Sequence, residues 1–208
     1  IIPLNAREKK YKEADKKWAY MYMMRAINIW DLMELGPEMK ELYPEIFAYQ
    51  HDNGGINPGN IVTDINYFDN DQIEMVVHNR YSLPVEHSHT FVEVVYVYSG
   101  HGIHFINGIS IDMNAGDICI VSPKTEHAFA AENDDTIVLN IMMSQKLFDE
   151  RFLKIIKGGN LVSRFFERIF YSKEFTPYIL FQTGDNVWIQ DNMMNMYDEF
   201  QKKEYMYK

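Results

Sequence analysis

The sequence contains a single cysteine, Cys119, among 208 residues. No intramolecular disulfide can form, so packing and hydrogen bonds must hold the fold, and one thiol fits a reducing compartment such as the cytoplasm. Basic residues are also scarce: 20 Lys and Arg against 30 Asp and Glu leave a net charge of −10. No basic cluster interrupts that balance, and an acidic chain repels a phosphate backbone, so this segment is not expected to bind nucleic acid itself. A long apolar run is missing too. The most apolar stretch, Trp18 to Leu35, is broken by Arg25, Asn28, Asp31 and Glu34 at helical spacing, which predicts a helix with one polar stripe and not a membrane span. The first twenty residues are charged where a secretory signal needs an apolar core. The chain opens on Ile1 and not on Met, and is expected to be a piece of a longer or processed protein.

What is present is apolar and aromatic: 47% hydrophobic and 14% aromatic residues, enough for a sizeable core and too much for a disordered chain. The chain is organised around His87 to His127, HSHTFVEVVYVYSGHGIHFINGISIDMNAGDICIVSPKTEH. In a strand, residues two apart share a face, which puts His87, His89 and Glu93 on one side with Phe91, Val95 and Val97. Two imidazoles and a carboxylate among apolar neighbours are costly to bury without partners. A metal ion would satisfy all three, with His127 as a fourth ligand returning from the loop after Pro123. A hydrogen-bonded polar cluster is the alternative. Gly100 and Gly102, then Asn107 and Gly108, then Asn114 to Asp117 mark reversals, and predict a meander of short antiparallel strands.

These residues resemble the cupin superfamily. His87, His89, Glu93 and Gly100 fit its first motif without a gap; Gly116, Asp117, Pro123 and His127 follow its second, with Thr125 in place of the usual Gly. Within the cupins, HSHTFVEVVYVYSGHGIHFING, AGDICIVSPKTEHAF and LVSRFFERIFYSKEFTPYILFQTGDN are similar to the amino-terminal sensor domain of AraC-family transcription regulators, over about Gln72 to Tyr205. The resemblance implies a mainly β fold, a cupin-type antiparallel β-barrel or jelly roll flanked by N- and C-terminal α-helices. Together with the helical pattern of the first residues, which lie outside it, the resemblance divides the chain into a helical extension (1–60), the barrel (61–143) and a C-terminal helical region for dimerisation and linkage (144–208). It further implies a small effector, sugar-type at family level, a homodimer, and DNA contact only through helix-turn-helix units beyond Lys208. Metal-dependent cupin enzymes, dioxygenases or sugar isomerases, carry the same ligand types, so whether the chain is an enzyme stays open, with the helices after the barrel favouring the sensor.

The metal set is therefore His87, His89, Glu93 and His127, and zinc, nickel, manganese or iron would suit it. Phe91, His104 and Phe105 are candidate effector contacts, the two aromatics for stacking on a ring, although each is equally ordinary as core. His101 and His104 are expected on opposite faces of their strand, and Tyr96 and Tyr98 away from the His–Glu side, against helices. Cys119 reads as a small core residue. Asn5 and Glu8 have the spacing of a helix-capping box. A closing helix, Val187 to Tyr205, carries an apolar stripe of Ile189, Met193, Met196 and Phe200 that predicts either a subunit contact or packing on its own barrel.

Overall fold

The computed structural model of the chain describes residues 2–13, 41, 61–62, 68, 73–148, 164, 168 and 176–202. Most of the helix expected up to Leu35, the loop around His51 and the helices expected across 149–171 lie outside the described residues. Ten strands are described: β1 (Ile61–Val62), β2 (Ile73–Val77), β3 (Ser88–His89), β4 (Val92–Ser99), β5 (His101–Ile106), β6 (Ile109–Asn114), β7 (Asp117–Val121), β8 (His127–Ala130), β9 (Ile137–Met143) and β10 (Tyr178–Gln182). They form a five-stranded antiparallel sheet in the order β10-β7-β4-β9-β2 and a three-stranded one in the order β6-β5-β8. An antiparallel bridge between His87 and His127 places β3 beside β8, and β3 carries β1 parallel to it. The fold is mainly β, with the two antiparallel sheets packed face to face as the expected jelly roll requires.

Alternation builds the core. Val95, Val97, Cys119, Val121 and Val138 point inward from the larger sheet and meet Ile106, Met113 and Phe129 from the smaller one. Cys119 is fully enclosed there, and burial pushes its thiol well above the usual range. On the outer face of the larger sheet, Met75, Tyr96, Leu139 and Ile141 form a second apolar layer with Phe200. The helix Val187–Lys202 covers it through Ile189, Met193, Met194 and Tyr197. Tyr96 and Tyr98 thus meet a helix, and Ile189, Met193 and Phe200 pack on their own sheet. Met196 stays 38% exposed and Trp188 74%.

The expected meander is corrected in one respect. β5 and β6 form a hairpin through Asn107 and Gly108, both at positive φ, as a two-residue primed turn demands. β4 and β5, however, are not paired. Gly100, at φ +71°, carries the chain from one sheet to the other, and a Cβ there would lie 2.7 Å from the Thr136 backbone. β6 and β7 part in the same way around Gly116.

The first helical segment, residues 6–13, begins with the expected box: Glu8 N–H donates to Asn5 Oδ1 and Asn5 N–H to Glu8 Oε2, both at 2.8 Å. Arg80 then fastens it to the barrel. Its Nε donates to Glu8 Oε1 at 2.9 Å and its Nη2 to Glu8 Oε2 at 3.0 Å. Its Nη1 donates to the carbonyls of Ile2 and Asp134. Lys12 and the Tyr81 hydroxyl both bond the Asp134 carboxylate.

Candidate functional site

The register of three strands brings the motif residues together. β3 supplies His89, with His87 just before it; the bridge to His127 at the start of β8 sets these rings on one face. Glu93 points inward from β4, opposite Val121 and Met142. His89, Glu93 and His127 are all at least 96% enclosed.

Glu93 Oε2 lies 2.9 Å from His89 Nε2 and 3.3 Å from His127 Nε2, and the two imidazole nitrogens are 3.0 Å apart. Ligand atoms about 2.0–2.2 Å from one ion stand roughly 3.0–3.4 Å from each other, so this triad already has coordination spacing. His87 is looser: its ligand atom lies within 4.8 Å of those of Glu93 and His127. Glu93 and His127 are thus shared by two sets, one with His89 within 3.3 Å and one with His87 within 4.8 Å.

The other ring nitrogens decide what the first ones can do. His87 Nδ1 lies 2.9 Å from the Val85 carbonyl and His89 Nδ1 2.9 Å from the Phe91 carbonyl. A carbonyl only accepts, so each Nδ1 carries a proton and donates it, leaving Nε2 of each ring as the nitrogen open to a second partner. For His89 that nitrogen lies 2.9 Å from a Glu93 carboxylate oxygen and 3.0 Å from the His127 nitrogen. Acceptors at that distance repel unless something positive lies among them. A proton serves one such contact; a divalent ion serves all of them. The donor set and its outer partners therefore fit a divalent transition metal.

Burial would raise the Glu93 carboxyl, but the bond with His89 and the nearby His127, His89 and His87 hold it well below the usual carboxylate range. Burial, reinforced by His87, keeps His127 neutral far below the ordinary imidazole value. His104, behind it, is brought down to about 4 by burial, and its Nε2 lies 3.1 Å from His127 Nδ1. His78, also brought down to about 4 by burial, stands edge-on to Phe129, as does His104, both at 5.4 Å between centroids.

Residues 76–152 match the family described as the AraC-like ligand binding domain. They are an AraC-like ligand-binding domain. Among curated relatives, the HTH-type transcriptional activator RhaR of Escherichia coli K12 is 34% identical over 70 residues, covering 33% of this chain and 25% of that protein. RhaR of Shigella flexneri serotype 5b matches equally. The chain spans a quarter of the length of these relatives. Of solved structures, ToxT of Vibrio cholerae O395 is 13% identical at a TM-score of 0.41, covering 63% of this chain and 50% of that one. A cupin protein of Bacteroides fragilis is 27% identical at 0.28, covering 35% and 63%. Overlap that slight bears on neither fold nor function.

Within the AraC-like domain the three candidate effector contacts have different surroundings. His104 faces the interior, fully enclosed. His101, on the other face of β5, is exposed. Phe91 is stacked flat on His89 at 4.1 Å and meets Phe68 edge-on, so it props a candidate metal ligand. Phe105 is a correction. Alternation along β5 turns it to the outer face, where it packs with Ala128 and Ala130, away from the His–Glu cluster.

Sequence reasoning missed Asn140 and the contact that pairs His104 with His127. Asn140 pairs in register with Val95, an inward residue of β4, so its side chain shares that inner face. Its Oδ1 and His104 Nδ1 are buried without a hydrogen-bond partner. An Asn inside an otherwise apolar strand, IVLNIMM, was the available signal.

Proposed function

We propose that this chain is the effector-sensing part of a transcription regulator, with a small molecule taken up inside the barrel beside a divalent transition metal held by His87, His89, Glu93 and His127. The regulator reading rests on the match over residues 76–152 and on relatives that are HTH-type transcriptional activators. The metal reading rests on one observation: the His89 and His127 Nε2 atoms and a Glu93 oxygen crowd within 3.3 Å, while Nδ1 of His89 is committed to a carbonyl. The ion, when bound, would supply a fixed positive centre and an open coordination position for an oxygen of the effector.

In this reading the effector is a small hydroxylated molecule, sugar-type at the coarsest. Arg80 is the only Lys or Arg buried among the described residues and is bound to Glu8, so the metal alone would favour an anion. DNA contact belongs to helix-turn-helix units outside this acidic chain, the protein works in the cytoplasm, and subunits pair. The exposed Val187, Trp188 and Met196 are the large apolar residues of the last described helix free to serve that pairing.

Elemental analysis of protein purified without chelator or nickel resin tests the metal. We expect close to one equivalent of zinc, nickel, manganese or iron in wild type, and loss of most of it in His89→Ala; below about a tenth of an equivalent, with no uptake on addition, the metal reading fails. Incubating the metal-replete chain with candidate sugars under air separates sensor from enzyme. Saturable binding with the ligand recovered unchanged fits the sensor; turnover abolished by His89→Ala overturns it in favour of a cupin enzyme.

A further inference from the structure

The histidines around the cluster are not held alike. His87 and His89 are each fixed by a backbone carbonyl, an acceptor that cannot change its role. His127 is fixed by another imidazole, His104, at 3.1 Å. His104 is fully enclosed, and its remaining nitrogen, Nδ1, has no partner.

Two neutral imidazoles in contact share one proton across the bond, and two arrangements are open to them. In the first, His127 Nδ1–H donates to His104 Nε2. His127 then turns a lone pair on Nε2 toward Glu93 and His89, and His104 carries its own proton on Nδ1, as a donor. In the second, His104 Nε2–H donates to His127 Nδ1; His127 carries its proton on Nε2, toward Glu93 Oε2 at 3.3 Å, and His104 Nδ1 becomes an acceptor. The pair holds two protons in both. Only the first leaves His127 able to bind a cation.

We propose that His104 is a positioning residue that couples the contents of the barrel to the metal centre: an acceptor oxygen placed on His104 Nδ1–H selects the arrangement in which His127 is a ligand. A buried donor without an acceptor is costly, so the first arrangement is favoured when an oxygen sits there and disfavoured when none does. Asn140 Oδ1, on the inner face of the larger sheet, is likewise buried without a hydrogen-bond partner. A donor and an acceptor together suit a hydroxyl, which can accept from one and donate to the other. Coupling of this kind is reciprocal: a hydroxylated occupant tightens the metal, and the metal tightens the occupant. The inference rests on the metal reading above.

The test uses zinc as the probe on the whole chain with 15N-labelled histidine. Long-range 1H–15N correlation of the zinc-bound protein should place the protons of both His127 and His104 on Nδ1, with a water cross-peak at His104 Nδ1–H reporting an oxygen within reach. His104→Phe should weaken zinc binding about ten- to hundred-fold in competition with a chromophoric chelator. His104→Gln, whose carbonyl can replace the lost acceptor, should recover most of that loss. Circular dichroism and melting of both variants guard against misfolding. A His104 proton on Nε2 in the zinc form overturns the proposal. So does a folded His104→Phe that binds zinc like wild type, or a His104 Nδ1–H sealed from water. Failure of wild type itself to take up zinc removes the metal reading, and this inference with it.

Discussion

Arg80 and Glu8 form an ion pair with about 3% of either side chain exposed, and everything that offsets the desolvation of those charges is contributed by four short bonds and two carbonyls. Burial alone would raise the Glu8 carboxyl; the side-chain and backbone bonds from Arg80 and the bond from Asn5 outweigh it and lower the value. A carboxyl lowered in the fold stabilises the folded chain above its ordinary value of 4.5 and loses that contribution as pH falls through the folded value. Urea midpoints measured from pH 7 to pH 3 should therefore decline over the acid end, and decline less in Glu8→Gln. Glu8→Ala strands the Arg80 charge and should cost about 3–5 kcal/mol in urea unfolding at pH 7. Glu8 was visible in the sequence as half of a capping box; Arg80 was not, because nothing local links two residues 72 positions apart.

At the scale of elements, the turns carry strain that is easy to rank. Gly108 and Gly116 both have positive φ, but a Cβ on Gly108 meets nothing within 4 Å, whereas one on Gly116 runs into the Gly184 carbonyl. Gly108→Ala should cost about 1–2 kcal/mol from backbone conformation alone, and Gly116→Ala clearly more, read as the difference in chemical-denaturation midpoints. The last helix gives a second ranking. Met193→Lys, on the face against Tyr96 and Leu139, should destabilise the fold by about 2–5 kcal/mol, while Met196→Lys and Trp188→Ser should leave melting nearly unchanged and show in sedimentation whether those residues join subunits. The two-residue period of β4 and β7 and the Asn107–Gly108 turn were legible because both are local. The path of the chain after Gly100 was not: a glycine announces a turn, but whether the next strand stays in the sheet depends on Thr136, a residue 36 positions on. Likewise the four motif residues were legible as a set, and Phe105 was misplaced only because aromatic character does not say which face of a strand looks inward.

For the molecule as a whole, the cluster joins the two sheets, since Glu93 belongs to the larger sheet through β4 and His127 to the smaller through β8. An ion bound there should raise the melting temperature, and a chelator lower it, in proportion to the logarithm of free metal; His89→Ala should abolish the difference. The Arg80 node has a consequence of another sort, for the order of events when the chain folds. Its guanidinium reaches Asp134, 54 residues downstream, as well as Ile2 and Glu8 upstream. The Asp134 turn lies just before β9, and we expect it to take its place only once β9 has paired with β4. Residues 2–13 can settle on the barrel only afterwards. Their contacts are then absent from the rate-limiting nucleus, and in stopped-flow experiments Glu8→Gln should leave the refolding rate almost untouched while quickening unfolding. The amino-terminal helix would be the last part to dock and the first to let go.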